Sequence, residues 1–304
     1  MKKPFLYYIL LIFFIFLSNI TTFLLGKLFK FEGIIIELFS KVVLLGFLTI
    51  QYFIYLKYHK KEDDFFEVKF ETEKYSYLEK KNFHFSDFYQ GKRAIQFKFS
   101  IFFLSILFFY ITSGIGTNLQ VFIFPLIKKF SFFKDSSTFY LDALVKLINS
   151  NLYLSFFLIV IIGPIFEEIT FRGFSLSIKF EKTKKIIITL FMSFLFAILH
   201  FDFSRFFSIF TMGLALGIIY NLTESLIYPI IIHLINNGIA FIFIFSIIKT
   251  KNIEKLYQML NYNISKLEER YNSIGTVIFI TILLIAFARF VYRIINDLIE
   301  KDIT

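Results

Sequence analysis

Ile161-Ile162-Gly163-Pro164-Ile165-Phe166-Glu167-Glu168-Ile169-Thr170-Phe171-Arg172-Gly173 sets two adjacent carboxylates and an arginine at the end of an apolar run. The run before it, from Leu152 to Phe166, is long enough to enter a bilayer. Ionisable groups at that depth cost roughly 3 kcal/mol each on insertion and usually mark function. On a helix, Glu168 and Arg172 stand four apart and share a face. Glu167 is turned about 100° away from Glu168. Arg172 can therefore neutralise Glu168 and leave Glu167 to face a cavity. A carboxylate so placed in apolar surroundings can serve as a base near neutral pH.

The composition around this stretch is that of a membrane protein. Of 304 residues, 57% are hydrophobic, and apolar runs recur at the length of roughly 20 residues that spans a bilayer. The runs do not alternate in polarity, which argues against a β-barrel. The expected fold is all-α: a polytopic integral membrane helix bundle of about eight transmembrane helices. The spans are drawn at 5–26, 33–56, 97–127, 151–180, 185–202, 206–222, 225–248 and 274–296. The third holds Gly114 and Gly116, where a break or tilt is expected. The run to Leu25 is too long for a signal peptide and reads as a first span. The whole chain, 1–304, reads as a single membrane domain, with its chemistry gathered between 150 and 245.

The formal net charge of +10 suits anionic headgroups and orientation in a membrane, and it gives no case for nucleic acid. The absence of cysteine excludes disulfides and thiolate metal sites. Lys and Arg in the loops favour cytoplasmic termini for a multi-pass protein of the cell membrane. The polar segment from Lys57 to Lys98 reads as a solvated loop. Between the last two spans, Ile253, Leu256, Tyr257, Leu260, Ile264, Leu267 and Tyr271 recur at helical spacing after Asn252, as in a surface amphipathic helix.

Two of the four histidines, His200 and His233, fall in apolar spans. His233 and Asn237 are four apart and can point into one cavity. At 1.5 Å per residue, Glu167 lies about 20 Å from the inner end of its helix, His200 about 22 Å from Lys185, and His233 about 13 Å from Glu224. The three can meet near mid-membrane. One carboxylate and two imidazoles can activate water in two ways. They can hold Zn²⁺ with an open fourth position, through Glu167, His200 and His233. Alternatively Glu167 takes a proton from water while His200, His233 and Asn237 stabilise the oxyanion. Both chemistries are open to these residues.

Three motifs in order carry a resemblance: Glu167-Glu168-x-x-x-Arg172, Phe196-x-x-x-His200 and His233-x-x-x-Asn237. Over about residues 150 to 245 the chain resembles the CPBP family of intramembrane proteases, which includes type II CAAX prenyl endopeptidases and bacteriocin-immunity proteins. The resemblance implies a catalytic Glu167 activating water, His200 and His233 as metal ligands or oxyanion stabilisers, and Asn237 completing the site. Glu168 and Arg172 would hold the architecture. Zinc and a metal-free glutamate mechanism both stand as expectations. The implied function is an intramembrane endopeptidase acting on a membrane-associated protein or peptide, prenylated in the CAAX case. A non-catalytic bacteriocin-immunity or scaffold protein is the alternative. A transporter would carry paired interrupted spans in matching halves, and the sequence shows none.

Overall fold

The computed structural model describes residues 98–127, 142, 144–174, 182–200, 202, 205–249 and 274–303. All lie within one compact unit, Tyr89–Thr304. The expected spans at 5–26 and 33–56, the polar segment 57–97 and the amphipathic stretch 252–271 fall outside the described residues.

The described residues are almost wholly helical, without a strand element. Helix α1 runs from Phe99 to Ile127. The second, α2, is composite: α-helix over Leu152–Phe156, π-helix over Phe157–Ile162, α-helix over Gly163–Glu168 and π-helix over Ile169–Phe174. It is followed by α3 (Lys182–Leu199), α4 (Phe206–Thr223), α5 (Ile227–Lys249) and α6 (Ile274–Ile303). Among the described residues, five helices have the length and composition to cross a membrane, within α1, α2, α4, α5 and α6, and α3 contributes a shorter apolar helix, Lys185–Leu199.

Local chemistry sets several of the boundaries. Asn151 is extended, and its side chain accepts from the Leu154 N–H at 3.0 Å, starting α2. The first turn of α4 borrows its cap from another helix: the Phe207 N–H donates to Gln120 Oε1 of α1 at 2.9 Å. The same helix ends on Glu224 in the left-handed region, φ 49°, with its N–H returned to the Tyr220 carbonyl. That sharp stop turns the chain straight into α5, so α4 and α5 form a helical hairpin.

Helix α4 is the central element and packs against α1, α3, α5 and α6. Its Ala215, Leu216 and Ile219 are buried among Ile101 and Phe109 of α1, Tyr228 and Ile232 of α5, and Val291 and Ile295 of α6. A smaller cluster joins α2 to α5 through Val160 and Phe241, with Ile148 beside them. Large apolar side chains such as Ile242 and Phe243 of α5, and Phe279, Ile282 and Phe290 of α6, point outward, as lipid contact requires.

The expected break at Gly114 and Gly116 does not occur; α1 is continuous helix through both. Gly116 serves close approach instead. A Cβ there would overlap Thr211 Oγ1 and the Phe207 carbonyl oxygen and lie 2.9 Å from Ser208 Cα. Small residues at a crossing let two membrane helices gain contact where hydrophobic transfer gives none. At Gly114 a Cβ would meet only Leu284 Cδ1, at 3.6 Å. Gly116→Ala is thus expected to destabilise by about 1–3 kcal/mol through overpacking, while Gly114→Ala is neutral or gains up to about 1 kcal/mol of helix propensity. Thermal unfolding of the two variants in detergent checks the contrast.

Candidate active site

Glu167 and Glu168 end the short α-helical segment of α2, with π-helix on both sides. Single π turns inside α-helices recur at functional sites because they shift side chains off the 3.6-residue face. Gly163 permits the first one: a Cβ there would stand 3.0 Å from the Leu158 carbonyl oxygen.

Glu168 is fully buried, and its Oε1 accepts two charge-assisted hydrogen bonds. Arg172 Nη1 donates at 2.7 Å, and His233 Nδ1 donates at 2.8 Å. Arg172, itself 2% exposed, spends its other terminal nitrogen on the Gly213 carbonyl of α4 at 2.8 Å. The guanidinium also lies 5.0 Å from the Phe196 ring centroid and 5.9 Å from that of Phe171. Such a desolvated cation–π contact is worth about 2 kcal/mol.

Glu167 faces elsewhere, as the step of one residue demands. Its side chain is 21% exposed, and Oε2 stands 3.7 Å from His233 Nε2. His233 thus sits between the two carboxylates. Because Glu168 is an ionised acceptor paired with Arg172, His233 Nδ1 carries a proton, and Nε2 is the atom turned to Glu167.

His200 does not lie inside a helix as drawn from the sequence. It follows Leu199 in a turn, and its Nδ1 donates to the Phe196 carbonyl at 2.7 Å. Its ring meets Phe196 at 4.5 Å between centroids, and His233 meets the same ring at 5.9 Å. Phe196 is the residue that sequence reasoning undervalued. It touches both imidazoles, the Arg172 guanidinium and, edge to face at 5.3 Å, Phe171. Its only sequence signal was one turn of spacing before His200. Gly213 gave none, because it acts through a carbonyl and through a missing side chain: a Cβ there would lie 3.1 Å from Phe196 Cδ1. Asn237 Nδ2 donates to the Ile159 carbonyl of α2 at 3.0 Å.

Engaged Nδ1 atoms leave both Nε2 atoms in the form that suits a metal ligand. Yet among the described residues no three His, Cys, Asp or Glu side chains come together as a metal shell. Glu168 is committed to Arg172 and His233.

Comparison with known proteins bears on the same stretch. Residues 149–239 match the family described as type II CAAX prenyl endopeptidase Rce1-like, a segment that encloses Glu167, Glu168, Arg172, His200, His233 and Asn237. The membrane-embedded CAAX protease MroQ of Staphylococcus aureus (strain USA300) is 34% identical over 112 residues, covering 35% of this chain and 44% of MroQ. The matched stretch is less than half of that relative. No solved structure matches. With its apolar helices the protein is a multi-pass membrane protein. Over residues 149–239 the chain is similar to the Rce1-like CAAX prenyl endopeptidases and to MroQ.

Proposed function

We propose that the protein is an intramembrane endopeptidase that hydrolyses a peptide bond of a membrane-associated protein or peptide with water activated by Glu167. The observation that carries this reading is the chain of contacts Arg172–Glu168–His233–Glu167, with separations of 2.7, 2.8 and 3.7 Å. A base needs a partner that favours its charge changes and a support that does not move, and this chain provides both. Glu167 removes a proton from water, and the water oxygen bonds to the carbonyl carbon. In its doubly protonated form, with Nδ1–H held by the Glu168 anion, His233 presents Nε2–H to the oxyanion, and His200 lies near it around Phe196. Glu167 then returns the proton to the leaving amine as the C–N bond breaks.

The substrate class rests on family likeness: a CAAX-type, prenylated protein is the form that the names of the family and of MroQ suggest. Membrane lipids are the other partner. Both termini lie on the cytoplasmic side on this reading, supported by the Lys and Arg bias of the loops.

Replacing Glu167 with Gln is expected to lower cleavage of a membrane-bound peptide by about 10²-fold or more, measured with purified protein in vesicles; unchanged turnover would remove the assigned base. Water activation here needs no metal, so dialysis against a strong chelator leaves the rate within about twofold, less than the tenfold equivalent to 1.36 kcal/mol of barrier. A loss restored by added zinc would instead identify a metalloenzyme. Arg172→Met strands the Glu168 charge and is expected to cost about 3–5 kcal/mol of stability. Arg172→Met with Glu168→Gln removes both charges and is expected to cost less than Arg172→Met alone. Unfolding midpoints of the single and double variants decide this.

A further inference from the structure

Pro164 interrupts the hydrogen-bond ladder of α2 three residues before Glu167. The Gly163 N–H donates to the Leu158 carbonyl, a bond five residues back. In that register the next donor, the N–H of residue 164, belongs to the Ile159 carbonyl. Proline has no N–H to give. The alternative α-helical donor to Ile159 is Gly163, and it is already turned to Leu158. The proline and the π turn together deprive the Ile159 carbonyl of both its helical donors, inside a span where water cannot replace them.

Asn237 supplies the missing donor from α5, its Nδ2 lying 3.0 Å from the Ile159 oxygen. The side-chain carbonyl of Asn237 is in turn approached by Asn236 Nδ2 at 3.4 Å, which turns the amide nitrogen toward α2. One turn earlier on α5, His233 reaches Glu168 and Glu167. Two successive rungs therefore tie α5 to α2, one on each side of Pro164.

We propose that Asn237 is a positioning residue that takes the place of the absent Pro164 N–H at the Ile159 carbonyl, and so fixes the register between the helix bearing Glu167 and the helix bearing His233. The structural part stands without the peptidase reading; only its kinetic consequence rests on it. The assignment differs from direct oxyanion contact by Asn237, and a second-site substitution separates the two. Pro164→Ala restores an N–H that can donate to Ile159 in the existing π register, making the Asn237 amide dispensable.

The test compares full-length protein carrying Asn237→Ala, Pro164→Ala or both, in lipid nanodiscs. Asn237→Ala is expected to lower the unfolding midpoint and to raise amide exchange in peptides covering 158–168. The double variant is expected to recover most of both. On the peptidase reading, Asn237→Ala lowers kcat by about 10²-fold through displacement of the base, with little change in KM, and Pro164→Ala returns at least tenfold of it. Should Asn237→Ala not accumulate as folded protein, recovery of folded double variant is the expected rescue. Additive losses in midpoint and exchange would overturn the positioning role. Restored stability with kcat still at the Asn237→Ala level would show that the amide touches the reacting atoms, and would overturn the proposal in favour of oxyanion contact. A protein without peptidase activity leaves the midpoint and exchange comparison intact, so failure of the functional reading is distinguishable from failure of this one.

Discussion

A single buried oxygen, Oε1 of Glu168, bears the organisation of this site. It accepts from Arg172 and from His233, two cations or potential cations on different helices. Removing a carboxylate from water in an apolar interior is offset only by good geometry and by further hydrogen bonds. Here both come from the same partners at Oε1, while Oε2 is buried without a hydrogen bond. Arg172 extends the link to α4 through the Gly213 carbonyl, so that one anion fixes α2, α4 and α5 against each other. In a bilayer, where burial of apolar surface gives helices little reason to associate, polar contacts of this kind and close packing carry the specificity.

The second constraint is the winding of α2. An unbroken α-helix advances side chains by about 100° per residue. The π turns on either side of Gly163–Glu168 change that advance before and after the two glutamates. Glu168 can then point into the bundle while Glu167 remains partly open beside His233. The same winding, with a proline at its end, leaves a carbonyl to be met from outside the helix, which Asn237 does. Position and irregularity are linked: the site sits where the ladder is least regular.

Much of this was legible in the sequence, because hydropathy is a strong signal and because charges in apolar runs stand out. The pairing of Glu168 with Arg172 follows from their spacing of four and is found at 2.7 Å. What the sequence hid depends on three-dimensional contact or on departures from regular geometry. Gly114 and Gly116 suggested a weak point in α1, yet the helix runs through, and Gly116 marks a helix crossing. Hydropathy places His200 inside a span, whereas α3 stops at Leu199 and the imidazole binds the last turn's carbonyl. Uniform 3.6-residue periodicity could not anticipate the π turns, although Gly163-Pro164 inside an apolar run was a readable hint. The hub role of Phe196 needs ring geometry that spacing does not contain.

One feature of the anchoring concerns how such a protein tolerates change. Arg172, His200 and Asn237 each end on a main-chain oxygen: Gly213, Phe196 and Ile159 respectively. A peptide carbonyl survives any codon substitution at its own residue, provided the helix is kept. Ile159 can therefore drift among apolar types without erasing the point to which the amide is tied, while Gly213 is restricted by shape and Phe196 by its ring contacts. Exchange among apolar residues can rewrite much of the surrounding bundle and leave these three attachment points where they are.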